Sequence, residues 1–317
     1  MATTTTKNGA GSASRTPLIK TSQDELDRIR SSYQQKSNFN LGRAVGRVGF
    51  WLLIVMILLY TLFPFYWAIV SSLKTTQEVV RTPPTFWPEN LTWENYRTVF
   101  ENDMFLKSLR NSTIVSGSVV ILSLLFGTVA AYAMGRLKFR GRSPVLYLIL
   151  SMTMFPGVAI LGSLFQLMRD FNAFNTLWGL VIVYLTFSLP FTIWVLTNFF
   201  RAMPGDLEEA ALVDGATPLQ ALRQILIPMA VPGMVTTGLL AFIEAWSEFL
   251  YARSFTLTDR AKTVQVAISE FTGNTQFEQP FAVRMAAAVV VTIPLLIGVL
   301  LVQRRIISGL TAGAVKG

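Results

Sequence analysis

The chain has 317 residues, of which 52% are hydrophobic and 14% are charged, and its mean hydropathy of +0.48 lies well above that of soluble domains. It contains no cysteine and no histidine, which excludes thiolate and imidazole metal sites, haem ligands, disulfides and a Ser-His-Asp triad. The composition indicates a membrane protein, so the net charge of +9 is expected to set its orientation in the bilayer and does not suggest nucleic acid.

Six runs without a charged residue divide the chain, and each has 19 to 30 residues. A helix needs about 20 apolar residues to cross the hydrocarbon, so each run can span once and none can span twice. We predict an all-α, polytopic membrane helical bundle with six transmembrane helices, at about 48–73, 112–135, 144–168, 176–200, 228–250 and 284–303. Residues 1–46 form a polar tail that we expect to be partly disordered, and the first apolar run starts too late for a signal peptide.

The segment 74–110, between the first two spans, is expected to lie outside the membrane. Its first part contains Pro83, Pro84 and Pro88, which interrupt helix. Residues 91–109 carry apolar side chains at helical spacing. This pattern predicts an interfacial helix that lies on the membrane surface.

The short loop 136–142 predicts the orientation of the bundle. It holds four basic residues and no acidic one: Arg136, Lys138, Arg140 and Arg142. Short basic loops stay in the cytoplasm, and with this loop inside, 17 of the 27 Lys and Arg residues are cytoplasmic. Both termini are therefore predicted to be cytoplasmic.

Proline and glycine occur inside two of the predicted spans. The third span holds Pro156-Gly157 near its centre, and the fourth holds Pro190. Such residues are tolerated where neighbouring helices or a wet cavity satisfy the released carbonyl groups, as in transporters with broken helices. Packing kinks also explain them and are the favoured interpretation for any single proline, and both interpretations stay open.

The loop 201–228, between the fourth and fifth spans, contains residues that typically begin and end helices, and they predict two short helices. Asp206 suits an N-cap, and Glu209 would complete a capping box. Gly215 is predicted to end this helix at its C′ position. Thr217 is predicted to cap a second helix that runs to Pro228. A loop folded in this way favours a docking surface over a spacer.

The fifth span carries two carboxylates, Glu244 and Glu248, four residues apart on one helical face. At 1.5 Å per residue from Pro228, they lie roughly 24 and 30 Å along the span, towards its outer end. They could reach water or bond to a neighbouring span. They could instead face a water-filled cavity or a partner subunit, and both interpretations stay open. With Trp246, they are our candidates for a translocation path.

The loop residues resemble a known signature. They are Glu209-Ala210-Ala211, Asp214-Gly215, Ile225 and Ile227-Pro228, and they resemble the EAA signature of ABC-importer permeases, from which only Ile227 in place of Leu departs. The resemblance implies that this coupling loop docks on a separate ATPase. The residues it implicates are Glu209, Ala210, Ala211, Asp214, Gly215 and Pro228.

Residues 47–317 resemble the carbohydrate branch of this family, specifically the smaller permease of maltose- and trehalose-type importers. The ending 303–317 is similar to theirs, which implies that Gly313, Val315 and Lys316 contact the ATPase subunits. The outer loop 271–278 resembles one that enters the sugar cleft of a binding protein. Its candidate residues are Thr272, Gly273, Asn274, Thr275 and Gln276.

The resemblance implies a permease subunit that imports a small oligosaccharide across a bacterial or archaeal cytoplasmic membrane. Its implied partners are a second homologous permease, two ATP-binding subunits that hold ATP and Mg, an extracytoplasmic sugar-binding protein and the lipid bilayer. The chain has no P-loop of its own, so we expect no enzyme activity and no cofactor in it. Three alternatives stay open: an importer for another solute, a secondary transporter coupled to protons through Glu244 and Glu248, and a membrane anchor or assembly protein.

Overall fold

The structure is a computed structural model that describes residues 23, 25–28, 30, 41–271 and 280–314, with the side chains of 41–44 and 304–314 left out. Over these residues the chain is helical and contains no strand. It forms two compact units, Met1–Phe63 and Pro64–Gly317. Most of the polar tail 1–46 lies outside the described residues.

The helices are numbered in chain order. They are α1 (Leu41–Ser72), α2 (Thr76–Val79), α3 (Glu94–Glu101), α4 (Asp103–Gly135), α5 (Arg142–Met152), α6 (Gly157–Asp170), α7 (Leu177–Ala202), α8 (Asp206–Val213), α9 (Pro218–Ala221), α10 (Ile227–Ser247), α11 (Leu250–Phe255), α12 (Val264–Ser269) and α13 (Phe281–Ala314). A π-helical turn, Leu222–Leu226, joins α9 to α10.

Five helical stretches are long and apolar enough to cross a membrane: Val45–Ser72, Asp103–Gly135, Leu177–Ala202, Pro218–Ser247 and Phe281–Gln303. The predicted third span, 144–168, is instead the pair α5 and α6, which are bent by 92°. The bend follows from Pro156, which has no N–H to continue the helical hydrogen bonds. The all-α, multi-pass bundle is confirmed, and its third span is broken or re-entrant.

Helices α4 and α7 form the centre of the second unit because small residues let their backbones approach. A Cβ added at Gly127 would lie 2.6 Å from Cγ2 of Thr192, and the hydroxyls of Ser123 and Ser188 are 3.1 Å apart. Helix α10 packs on both α4 and α7, and α13 packs on α10. The core towards the start of α4 and α7 includes Val115, Val119, Leu180, Val183 and Tyr184.

The spacing of apolar residues predicted one interfacial helix over 91–109, but the segment 74–110 instead folds against the bundle. Its helix α3 ends at Asn102, whose side chain then caps α4 by accepting from the Phe105 N–H at 2.9 Å. Helix α4 thus starts nine residues before the predicted span at 112. In α3, Asn95 and Val99 are buried. The amide of Asn95 donates to Ser72 O and Lys74 O at 2.8 Å, and Val99 packs in a hydrophobic cluster with Phe105.

The two ends of the second unit are defined by their connections. Helices α7 and α10 are joined at one end by the loop 201–228, called the loop end. The other end is called the far end, and there the chain that follows α10 leads to α13. The structure describes the segment 248–271 of this connection. Both α4 and α7 begin at the far end, because Asn111 of α4 and Asn175 before α7 hydrogen-bond to this segment.

Candidate functional site

Helix α8 of the loop 201–228 begins without the predicted capping box. Its N-cap is Gly205, with φ −75° and ψ −30°, and no side chain caps it. Gly205 already has helical dihedral angles, so Asp206 falls inside the first turn. There its charge, like that of Glu209, still favours the helix through the helix dipole.

Helix α8 ends as predicted at Gly215, which has φ +88°. The Gly215 N–H donates to Leu212 O at 3.1 Å and the Ala216 N–H donates to Ala211 O at 2.9 Å. These two bonds form a Schellman motif, whose C′ residue requires the left-handed conformation that glycine adopts without strain.

The second helix of the loop starts as predicted but does not end as predicted. Thr217 and Gln220 form a full capping box with Pro218 in the first turn. The chain then passes through the π-helical turn into α10, so Pro228 lies near the start of a continuing helix. Because the helix continues through Pro228, the missing N–H of this proline leaves a carbonyl of the preceding turn without its helical partner, and the π-helical turn Leu222–Leu226 lies at that point.

Helix α8 is not covered by the rest of the described chain. None of its residues is buried, and Val213 is 87% exposed. Of the predicted coupling residues, Ala211 is half-buried and the others are exposed: Glu209, Ala210, Asp214, Gly215 and Pro228. Exposed apolar side chains lie beside them, namely Leu207, Leu212 and Leu219. A helix this exposed and this apolar has the character of a docking surface.

The Glu208 side chain ties α8 to the end of α4. Its Oε1 accepts from the Tyr132 hydroxyl at 2.8 Å, and its Oε2 lies 3.4 Å from Nε of Arg136. Arg136 also donates to Met203 O at 3.0 Å and to Pro204 O at 3.1 Å. The Arg136 and Glu208 side chains are only 13% and 12% exposed. We call these three side chains the Glu208 anchor.

Sequence reasoning did not find the Glu208 anchor. It selected Glu209 by its place in a motif and Arg136 only as a basic loop residue. Tyr132 and Arg136 are four residues apart, so they share a face at the end of α4. That spacing was the available signal, but the carboxylate that meets it is 76 residues from Tyr132 in the chain.

Glu244 lines a cavity of about 590 Å³ beside the broken third span. The cavity lies among the α5–α6 bend, α7, α10 and α11, and Thr153, Gly157 and Phe187 contribute to its wall. The Glu244 side chain is exposed in it. The Tyr251 hydroxyl, which donates to Gly157 O at 3.1 Å, closes one side of the bend.

Glu248 also lines this cavity, but its carboxylate accepts hydrogen bonds from two backbone N–H groups and one hydroxyl. Oε1 accepts from the Tyr251 N–H at 2.7 Å, and Oε2 accepts from the Ala252 N–H at 3.0 Å and from the Tyr184 hydroxyl at 2.6 Å. Glu248 therefore satisfies the first N–H groups of α11 where α10 ends.

Trp246 lies on a different face of the helix from the cavity. It is 2% exposed, stacks on Phe242 with ring centroids 5.3 Å apart, and donates from Nε1 to Val291 O at 3.3 Å. Gln265 donates to its carbonyl at 3.2 Å. Trp246 thus packs α10 against α13 and does not line the cavity that Glu244 lines.

Several predicted site residues fall at the edge of the structure or beyond it. Gly313 lies in the last turn of α13. The outer-loop residues Thr272, Gly273, Asn274, Thr275 and Gln276 lie outside the described residues, as do Val315 and Lys316. Within the described ranges, no group of three or more acidic side chains could hold a metal ion.

Comparison with known proteins gives consistent matches. Residues 123–311 match the family model described as binding-protein-dependent transport system inner membrane component. The chain is 42% identical to the trehalose transport system permease protein of Mycobacterium tuberculosis, over 86% of this chain and 98% of that one. It is 38% identical to the trehalose/maltose transport system permease protein of Thermococcus litoralis, over 83% and 94% of the two chains.

A solved structure gives the same result for the fold. A chain in the crystal structure of a bacterial ABC transporter involved in the import of the acidic polysaccharide alginate matches with a TM-score of 0.72 and 26% identity. The match covers 83% of this chain and 96% of that one.

Proposed function

The chain belongs to the family of binding-protein-dependent transport system inner membrane components, and from this premise we propose that its transported substrate is a small oligosaccharide such as a disaccharide. It is a multi-pass permease subunit of an ABC importer in the cytoplasmic membrane, and the ATPase of such importers is a separate subunit. The names of its relatives, which transport trehalose or maltose, support a sugar of the maltose or trehalose type.

The observation that carries the coupling role is the unburied helix α8, held by the Glu208 anchor and ended by Gly215. Glu209, Ala210 and Gly215 present a small, exposed and partly acidic surface to the ATPase. The anchor ties the same helix to the end of α4, so a force on α8 reaches the centre of the bundle. The loop end is then cytoplasmic, together with both termini.

The remaining partners follow from the way in which such importers work. A second homologous permease completes the path, two ATP-binding subunits hold ATP and Mg, and an extracytoplasmic binding protein delivers the sugar. Gly313, Val315 and Lys316 of the tail contact the ATP-binding subunits. The outer-loop residues 272–276 contact the binding protein in its sugar cleft.

Within the membrane, the cavity beside the broken third span supports a place on the translocation path. Glu244 is an exposed carboxylate in the wall of that cavity, whereas Glu248 holds the start of α11 in position. Stacked aromatic rings, such as Phe187 on Tyr251 with centroids 6.0 Å apart, line the same wall. Rings and a carboxylate together suit the apolar faces and hydroxyl groups of a sugar.

The test is reconstitution of the chain with its partner permease, ATP-binding subunits and binding protein in proteoliposomes. We expect uptake of radiolabelled maltose or trehalose that requires ATP and the binding protein. Uptake of an amino acid, peptide or phosphate without uptake of either sugar contradicts the substrate. Uptake by this chain alone in a proton gradient contradicts the coupling role.

The proposed outer loop has its own test in the same system. Deletion of residues 273–276 should lower sugar uptake and sugar-stimulated hydrolysis, while basal hydrolysis and assembly persist because the ATPase contacts lie at the other end. A loss of thermal stability in the assembled complex would show that the loop mainly packs the far end.

A further inference from the structure

A groove of about 730 Å³ runs along the surface of α4 and α7 from the far end. It is separate from the cavity at Glu244, because it lies on the α4 side of α7. Its upper wall contains Arg110, Arg260 and Asn175, and its lower wall is apolar, with Ile114, Ile182 and Leu185. The proposed function uses none of these residues.

The upper wall is rigidly built by two asparagine side chains. The amide of Asn111 donates to Arg260 O at 3.1 Å and to Lys262 O at 3.0 Å, which places the Arg260 backbone beside α4 next to Arg110. Asn175 accepts from the Leu257 and Thr258 N–H groups at 3.2 and 3.1 Å. The chain 257–262 therefore bridges α4 and α7 and forms the head of the groove.

The two arginines of the groove differ from most other basic side chains at the far end. Arg81 pairs with Glu89, Arg97 pairs with Glu101, and Arg253 and Lys262 both pair with Glu270. Arg110 and Arg260 make no ion pair or side-chain hydrogen bond with the described part of the chain. Asp259, the neighbour of Arg260, is occupied by Lys262 at 2.9 Å.

The depth of the groove matches one leaflet of a bilayer. From Arg110 to Leu122, α4 advances about 18 Å at 1.5 Å per residue. Half of the hydrocarbon core is about 15 Å thick. Trp178, which is 48% exposed in the upper wall, lies where tryptophan is enriched at the membrane interface.

We propose that this groove binds an anionic phospholipid, with its phosphate between Arg110 and Arg260 and an acyl chain along the apolar wall between α4 and α7. The unpaired positive charge at the interface provides the recognition of the headgroup. The apolar wall below provides the contact that a free phosphate ion would lack. The proposal requires insertion in a membrane and is independent of the transported substrate.

The experiment measures lipid binding to the delipidated full-length chain by native mass spectrometry. The probes are dioleoyl phosphatidylglycerol and dioleoyl phosphatidylcholine, with sodium phosphate as competitor. We expect phosphatidylglycerol to bind at least about tenfold more tightly than phosphatidylcholine, and phosphate not to displace it. In the double variant Arg110→Gln, Arg260→Gln, this preference should fall to about twofold or less.

The matched control is Arg169→Gln, because Arg169 is an exposed arginine at the far end that does not line the groove. It should keep the preference of the wild type. If the double variant does not fold, Ser118→Trp keeps both arginines and fills the groove, and it should weaken phosphatidylglycerol binding by about tenfold. A wild-type preference in the double variant, wild-type affinity for phosphatidylglycerol in Ser118→Trp, or an equal loss in the control overturns the proposal.

A second measurement identifies any other occupant of the groove. The chain has no cysteine, so Ile182→Cys places a single thiol in the apolar wall. The thiol is labelled with benzophenone maleimide, which adds to it as a thioether. On irradiation in native membranes, the benzophenone should insert into a C–H bond of phosphatidylglycerol and crosslink it to position 182. Quantitative crosslinking to a partner permease, with none to the lipid, would show that the groove is a subunit interface and would refute lipid binding.

Discussion

The loop 201–228 and the segment 248–271 connect helices at opposite ends of the same bundle, and they are built in contrasting ways. In the segment 248–271, Ala261, Val264 and Val266 are fully buried. In α8 of the loop, no residue is buried. The far end is held by many internal contacts. At the loop end, Leu222 and Leu226 are buried against α4 and α7, but α8 is held by the Glu208 anchor and leaves its surface available.

Ion pairs at the far end strengthen this contrast. Lys262 is 8% exposed and pairs with Glu270 at 2.6 Å and with Asp259 at 2.9 Å. The hydrogen bond to Glu270 raises the pKa of Lys262, in spite of its burial, which acts in the opposite direction. A raised pKa means that the stabilisation is present below the pKa of the unfolded chain and is lost only as the pH rises through the folded value. The far end therefore stays paired at neutral pH.

In the proposed function, the far end serves as a frame and α8 at the loop end serves as a contact surface. A helix without buried residues can follow a partner without breaking its own core. A segment with buried lysine, hydroxyl and amide groups cannot move without exposing these groups to solvent or leaving them without hydrogen-bond partners. Mutations at the two ends should therefore separate stability from coupling.

The largest effect is expected from the Glu208 anchor. Glu208→Ala leaves the half-enclosed Arg136 and Tyr132 without their carboxylate, which should cost about 1–3 kcal/mol locally and detach α8 from α4. We expect ATP-dependent uptake in proteoliposomes to fall by more than about tenfold, because the docking helix no longer moves with the bundle.

Glu209→Ala is its matched comparison. Glu209 is exposed, so its removal should change the thermal stability of the chain by less than about 0.5 kcal/mol while ATPase stimulation falls. Equal loss of thermal stability in the two variants would contradict the distinction between an anchor and a contact.

The next effect is expected at Gly215. In Gly215→Val, a β-branched residue must adopt φ +88° or abandon the Schellman motif, at a cost of about 1–2 kcal/mol. Because the helix that follows is redirected, binding of the ATP-binding subunits should weaken by about tenfold in co-purification.

Gly141→Val is the control for strain alone. Gly141 has φ +90° in the loop 136–142, with open space around it. It should show a similar loss of stability but retain subunit binding. If both variants lose the ATP-binding subunits equally, the effect is strain and not position in the coupling loop.

Within the membrane, Glu248→Gln and Glu244→Gln should act on different properties. The Glu248 carboxylate accepts from two backbone N–H groups and one hydroxyl, so an amide there should cost about 1–3 kcal/mol of thermal stability. Glu244→Gln should leave the melting temperature unchanged and lower sugar uptake several-fold at constant assembly. An opposite result, with stability lost at Glu244, would remove it from the translocation path.

The contrast between the two ends of the bundle also shows which features could be predicted from the sequence. The six apolar runs and the Gly215 and Thr217 turns were predictable because composition and local backbone preference determine them. The 92° bend was visible only as Pro156-Gly157, since a proline permits a kink without setting its angle.

The features that could not be predicted depend on contacts distant in the chain. Glu248 was predicted either to bond to a neighbouring span or to face a cavity, and the sequence could not identify its partners, which are Tyr184, 64 residues away, and the start of α11. Glu208 was passed over beside Glu209 for the same reason. Single-sequence patterns give the face of a helix on which a residue lies, and they do not give the element that meets that face.

The smallest effect, a pH dependence, is expected at Glu78. Glu78 lies in the segment 74–110, and its carboxylate accepts hydrogen bonds from other residues of the same segment. Burial alone would raise the pKa of Glu78, but hydrogen bonds from the Glu89 N–H, the Thr85 hydroxyl and the Asn90 N–H, with the charge of Lys74, lower it below 4.5. A lowered pKa stabilises the fold above the unfolded value and loses that contribution as the pH falls through the folded value. Glu78→Gln should therefore be less stable than the wild type by about 1 kcal/mol at pH 7, and the difference should shrink below about pH 4.5. Melting temperatures of both proteins between pH 7 and pH 3.5 measure it, with the exposed Glu101→Gln as the control that should show no such convergence. A constant difference at every pH would mean that shape, and not the charge of Glu78, holds this segment.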